Sequence, residues 1–119
     1  MVGITGSVGK TSVKDMTAAV VARSGPVHAS PQSFNNEIGV PLTLVNAPDG
    51  ASTVVVELGA RHEGDIAALC EVVLPDIGVV TTVAAAHTGV LGPVDVVART
   101  KGELLDRLPA HGCAVLNAD

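Results

Sequence analysis

The sequence predicts an α/β fold: a parallel sheet with helices on both faces, of the P-loop NTPase-like kind, present as a partial domain. Three observations carry this. Apolar segments along the 119 residues alternate between β-branched runs and stretches with helical spacing. The β-branched runs at 53–58 and 77–83 are nearly continuous, as in strands covered on both faces. A glycine-rich turn, Gly3-Ile4-Thr5-Gly6-Ser7-Val8-Gly9-Lys10-Thr11-Ser12, joins the first strand to the first helix.

Residues 1–5 form the end of a strand that runs into these glycines. Residues 10–23 fit a helix, with Val13, Met16, Val20 and Val21 recurring at helical spacing. Gly25-Pro26 ends it, and a short strand follows at 27–29. Residues 30–41 are loop-like, and Pro41 suits the first turn of a helix over 41–45. Residues 53–58 are the clearest strand. A helix over 64–73 sets Ile66, Leu69, Cys70 and Val73 on one face, and 77–83 is a second buried strand. A helix over 94–108 leads to a last strand at 113–117. In such an alternation, ligands sit at the carboxyl ends of the strands. There is no repeat, linker or low-complexity tract, so residues 1–119 read as one unit, long enough to bury a core.

Composition narrows the function classes. Hydrophobic residues make up 47% with Phe34 the one aromatic, so the core is built of Val, Leu, Ile and Ala. A net charge of −5 gives no support for nonspecific nucleic-acid binding or for an anionic membrane surface. The uncharged stretch 77–94 carries Thr81, Thr82, His87, Thr88, Pro93 and three glycines, which suits a strand and loop rather than a membrane span. Gly3, Gly6 and Gly9 interrupt any apolar N-terminal region, so no secretory signal is visible. Cys70 and Cys113, far apart and without metal spacing, read as free buried thiols of a reducing, cytoplasmic compartment.

The glycine-rich turn carries the chemistry. Glycine lets backbone N–H groups turn toward an anion without a Cβ in the way, and the helix that follows points its positive end there. Thr5, Gly6, Ser7, Val8, Gly9, Lys10, Thr11 and Ser12 are therefore the candidate cradle for a nucleoside triphosphate. Lys10 supplies charge for the outer phosphates and the Thr11 hydroxyl suits magnesium. The pattern departs from the strict P-loop, since Ile4 stands at the first glycine position and Gly3 lies one place earlier.

Four further groups lie near strand ends. Glu57 follows three valines, where a buried carboxylate needs a cation or strong donors; the alternative is a solvent-exposed strand terminus. His87, just past the strand at 77–83, suits a metal or a phosphoryl group, or is a loop histidine. Lys101 falls within the apolar face Val94, Val97, Leu104, Leu105 and Leu108. There it either snorkels to solvent or, desolvated, has a lowered pKa and a neutral amine reactive toward, for example, carbon dioxide. The adjacent amides of Asn35 and Asn36 bind a substrate carboxylate or phosphate, or cap the next helix. His28, His62 and His111 read as surface or loop histidines.

As a set and in this order, the segments GITGSVGKTSVKDM, SFNNEIGVPLTL, VVELGARHEGDIA, TTVAAAHTGVLG and ARTKGELLDRLPAHGCAVLNAD resemble the Mur ligase family across essentially the whole chain. The run from Asn35 to Pro41 and Lys101-Gly102-Glu103 resemble most the branch that adds D-alanyl-D-alanine. The resemblance implies the first half of a central ATP-binding domain, with the N-terminal and C-terminal ligase domains absent and the isolated piece inactive. It implies ATP and magnesium as cofactors, with Lys10 on phosphates and Thr11 and Glu57 on one ion. It also implies His87 and an N-carboxylated Lys101 on a second ion. The implied partners are UDP-N-acetylmuramoyl-tripeptide and D-alanyl-D-alanine, joined through an acyl phosphate in peptidoglycan precursor synthesis. A different P-loop NTPase and a noncatalytic nucleotide-binding domain are the alternatives.

Overall fold

The computed structural model describes residues 1–85 and 91–118. The elements are β1 (Val2–Thr5), α1 (Lys10–Val21), β2 (Val27–Ala29), α2 (Gly39–Val45), β3 (Thr53–Glu57), α3 (Asp65–Val73), β4 (Ile77–Val80), α4 (Val94–Asp106) and β5 (Cys113–Leu116). The strands form one parallel sheet in the order β2-β3-β1-β4-β5. β1 is central and wholly buried, with Val2 opposite both Val55 of β3 and Ile77 of β4. This register brings the ends of β1, β3 and β4 side by side.

Alternation along β3 divides the core between the two faces. Val55 joins Val2 and Ile4 beneath α1, where Val13 and Ala18 pack. Val56 joins Val40, Leu58, Ile66, Leu69, Cys70, Val73 and Leu104 beneath α2, α3 and α4. Helices thus cover both faces. Glycines let α4 lie close on the sheet: a Cβ at Gly78 would come within 3.1 Å of Leu104 Cγ, and one at Gly3 within 3.3 Å of Leu104 Cδ1.

Several expectations are corrected. β4 ends at Val80 rather than at residue 83. Beyond Thr81, whose N–H still reaches Thr5 O at 2.9 Å, β1 has turned into the glycine loop, and the chain binds that loop instead of extending the sheet. On α1, Met16 and Val20 are 59% and 71% exposed, and the stripe turned to the sheet is Lys14 with half-buried Val13, Thr17, Ala18 and Val21. The helix is rotated by the need to aim Lys10 and Thr11 at the strand ends, so its apolar pattern does not set its buried face. α2 begins two residues early, at Gly39, because Asn36 Oδ1 accepts the Gly39 N–H at 2.8 Å. α4 stops at Asp106.

Cys70 is buried and its thiol is pushed up to about 11 by burial, but Cys113 is exposed on β5, an edge strand. His28 is half-buried, with Nε2 2.9 Å from Thr43 O. Among the described residues, no helix is long and apolar enough to cross a membrane.

Leu104 is fully buried and fills the space above Gly3 and Gly78. Leu104→Ala is expected to destabilise the domain by about 2–5 kcal/mol, the usual result of an unfilled core cavity, read from urea unfolding midpoints.

Candidate functional site at the carboxyl ends of the strands

The site starts where β1 ends. Thr5 Oγ1 donates to Leu58 O at 2.9 Å, which keeps its hydroxyl inside the fold. At Gly6 the backbone takes φ 144, and a Cβ there would collide with Thr81 Oγ1. The loop is then fastened to the 81–84 segment. Ser7 N donates to Thr82 O at 2.9 Å, Ser7 Oγ to Ala84 O at 3.0 Å, and Thr81 Oγ1 to Val8 O at 2.6 Å.

Gly9 sits at φ 82 as N-cap of α1 and supplies no side-chain cap. Lys10 Nζ folds back over the loop to Gly6 O at 3.0 Å. A free helix N-terminus and an ammonium therefore face the same hollow, the arrangement that holds phosphate. Val8 and Ser12 are exposed on its outer side.

Glu57 closes β3 with 1% exposure, so the exposed-terminus alternative does not hold. Each carboxylate oxygen has one neutral donor: Thr11 Oγ1 on Oε2 at 2.8 Å and Asn35 Nδ2 on Oε1 at 2.7 Å. The two asparagines divide their work. Asn35 reaches the carboxylate and accepts Gly59 N–H at 2.7 Å, while Asn36 Oδ1 caps α2. A hydroxyl beside a buried carboxylate and next to a phosphate hollow fits magnesium, which takes one or two protein oxygens and fills the rest with water and phosphate. Among the described residues there is no group of three His, Cys, Asp or Glu around one point.

Lys101 comes from α4 and is 3% exposed, between fully buried Val97 and Leu104. It does not snorkel. Burial, then the charge of Lys10, lowers its pKa to about 8 against the opposing pull of Glu103 and Asp65. Two residues on, Glu103 reaches across to the start of α3, where Oε1 accepts Gly64 N–H at 2.7 Å and Oε2 accepts Ala67 N–H at 2.9 Å. That carboxylate locks α4 against α3 and aims Lys101.

Gly6, Ser7, Lys10, Asn35, Asn36 and Lys101 line one open cleft of about 560 Å³. Thr11 and Glu57 lie behind its wall. His87 lies outside the described residues. Sequence reasoning missed Glu37, Arg61, His62 and Asp65 on the opposite rim. Their available signal was position, since Arg61 and His62 lie in the loop that leaves the carboxyl end of β3. Asp65 is held below the usual carboxylate range: burial raises it, and N–H donors from Arg61 and His62 outweigh that. Lys14, buried on α1, left no signal beyond a polar residue on a helix.

A parallel sheet whose central strand feeds a glycine turn, a lysine and a hydroxyl at a helix start, with a carboxylate closing the next strand, defines a P-loop α/β domain. Residues 4–119 match the Mur ligase middle domain, and the chain belongs to that family. It is 51% identical over 119 residues to the UDP-N-acetylmuramoyl-tripeptide–D-alanyl-D-alanine ligase of Mycobacterium tuberculosis and 43% identical to that of Escherichia coli. All of the chain is covered, but only 23% and 26% of these relatives, so it spans about a quarter of their length. A crystal structure of MurF from Acinetobacter baumannii superposes with TM-score 0.94 at 30% identity, covering 99% of this chain and 26% of that one. MurF ligase from Thermotoga maritima in complex with ADP gives 0.92 at 34%, covering 99% and 28%.

The Lys101 amine is expected to react with an acylating reagent along a pH profile centred near 8, because burial and Lys10 favour the neutral form. Lys10→Ala should move that midpoint upward, toward the ordinary lysine value of about 10.4. Peptide-resolved labelling by mass spectrometry measures both, and a midpoint unmoved by Lys10→Ala would separate the two lysines.

Proposed function

We propose that these residues form the nucleotide-binding part of an ATP-dependent carboxylate–amine ligase, one that joins D-alanyl-D-alanine to UDP-N-acetylmuramoyl-tripeptide in cytoplasmic peptidoglycan precursor synthesis. On this reading the chain is the first half of a central ATP-binding domain, and the sugar-peptide and amine sites belong to further ligase domains. One observation carries it above the rest: Lys10 and the buried Lys101 face one cleft, while Thr11, next to Lys10 on α1, donates to the buried Glu57.

In such a reaction the peptide carboxylate attacks the γ-phosphorus of ATP. The bond to the β,γ-bridging oxygen breaks, ADP departs, and an acyl phosphate forms. The amine then attacks the acyl carbon, the carbon–oxygen bond to phosphate breaks, and the nitrogen gives up a proton. Positioning and charge stabilisation do most of the work in phosphoryl transfer. Lys10 leaves Gly6 O for the phosphates and follows their growing charge. The N-terminus of α1 and the loop N–H groups orient them.

Thr11 and Glu57 would hold magnesium, which offsets charge on the phosphates when bound. Lys101 would serve as a carbamate: its neutral amine adds to carbon dioxide and releases a proton, leaving an anionic oxygen that would be a ligand for a second magnesium, the ion that His87 would also serve. An amine with a pKa near 8 has a substantial neutral fraction at physiological pH, which supports this assignment. Asn35 and Asn36, on the cleft wall, are the candidate contacts to substrate.

Lys10→Ala in the full-length ligase is expected to lower kcat/KM by at least about a hundredfold, roughly 2.7 kcal/mol in barrier, with the fold intact by circular dichroism. Activity within about tenfold of the parent would remove its phosphate role. Lys101→Ala should lose activity and regain part of it when a short carboxylic acid is supplied. Lys101→Arg should stay inactive, because guanidinium remains charged and forms no carbamate. Near-parent rates with arginine would leave Lys101 without a chemical role.

A further inference from the structure

Lys14 is 2% exposed, and the chemistry above does not use it. It lies one turn beyond Lys10 on α1. Its ammonium donates to Ser30 O at 2.7 Å and Gln32 O at 2.6 Å, with the exposed Asp15 carboxylate 3.1 Å away. Burying an ammonium among backbone carbonyls is costly, and a methionine or leucine fills such a space without that cost.

The two carbonyls it holds begin the segment that reaches Glu57. Ser30 Oγ accepts the Glu57 N–H at 3.2 Å, and Ser30 N donates to Val55 O at 3.0 Å. Gln32 stands at φ 49, a left-handed conformation that a side-chain-bearing residue rarely adopts without outside support. Three residues on, Asn35 donates to Glu57 Oε1. Thr11, on the same helix as Lys14, donates to the other oxygen.

We propose that Lys14 is a positioning residue: it clamps the 30–35 segment to α1, so that Asn35 and Thr11 each hold one oxygen of Glu57. It touches neither nucleotide nor metal and acts through Asn35. This rests on the reading of Thr11 and Glu57 as a magnesium site.

Calorimetric titration of the full-length ligase with ADP, with and without magnesium, tests it. The quantity of interest is the gain in ADP affinity that magnesium brings. Lys14→Met is expected to cut that gain about tenfold, within the range of ordinary coupling between two ligands, and to leave magnesium-free affinity within about twofold. Asn35→Ala should do the same, and the double variant should lose no more than either single one, since both act on one oxygen. A folded Lys14→Met with an undiminished gain, or losses that add, overturns the proposal.

Should Lys14→Met not fold, Lys14→Leu, which likewise removes the donor, carries the same comparison. Loss of fold in both variants makes Lys14 a structural staple only and overturns it too. Lys10→Ala distinguishes the two levels: if it leaves ADP affinity intact, the nucleotide reading itself falls, whatever Lys14 does.

Discussion

A buried carboxylate at the end of a parallel strand is the constraint around which this domain is organised. Glu57 has 1% exposure and two neutral donors, one from the helix after the glycine loop and one from the segment between β2 and α2. Charge buried with so little compensation is tolerated where a ligand completes the balance. Two pieces of chain far apart in sequence, α1 and the Asn35 segment, converge on its oxygens, and both they and the glycine loop are anchored by contacts of their own. The glycine loop is tied to the 81–84 segment, α1 to the sheet through its stripe, and the Asn35 segment to Lys14.

The sheet order makes that convergence geometrically simple. With β1 between β3 and β4, the loop leaving β1 opens between the two neighbouring strand ends. One neighbour supplies Glu57 and the other supplies the chain that braces the loop. Lys101 arrives from the opposite layer, on α4, and closes the cleft from the side that α1 does not reach. Two amines then share one hollow, and the lowered pKa of Lys101 follows from its burial and that proximity.

Much of this was legible in the sequence because it follows from local chemistry. Gly6, Gly9, Lys10 and Thr11 declare a phosphate cradle by residue type and spacing. Glu57 after three valines declares a carboxylate that needs partners. Lys101 on an apolar stripe declares a lysine out of place. What stayed hidden depends on tertiary contact. Nothing in the spacing of Asn35 and Glu57 says that they meet, and Lys14 reads as an ordinary polar helix position. The face of α1 misled because Met16 and Val20 repeat at helical spacing while the buried stripe is partly polar. Cys113 misled because an apolar strand at the edge of a sheet is not thereby covered.

The pairing of Glu103 with the start of α3 has a consequence for how this helix tolerates change in length. Lys101 and Glu103 are two positions apart, so their side chains leave α4 about 200° apart around its axis. One direction is committed to the cleft and the other to the Gly64 and Ala67 amides. A helix held at two bearings has a fixed phase. Inserting one residue ahead of Lys101 turns it and Glu103 together by about 100° relative to the first half of α4, so the lysine leaves the cleft and the carboxylate leaves the amides unless the first half of the helix turns instead. Substitutions on the exposed side of α4 are absorbed easily, but insertions within it are not. Variation in length belongs instead to the connection after Asp106, where no phase has to be kept.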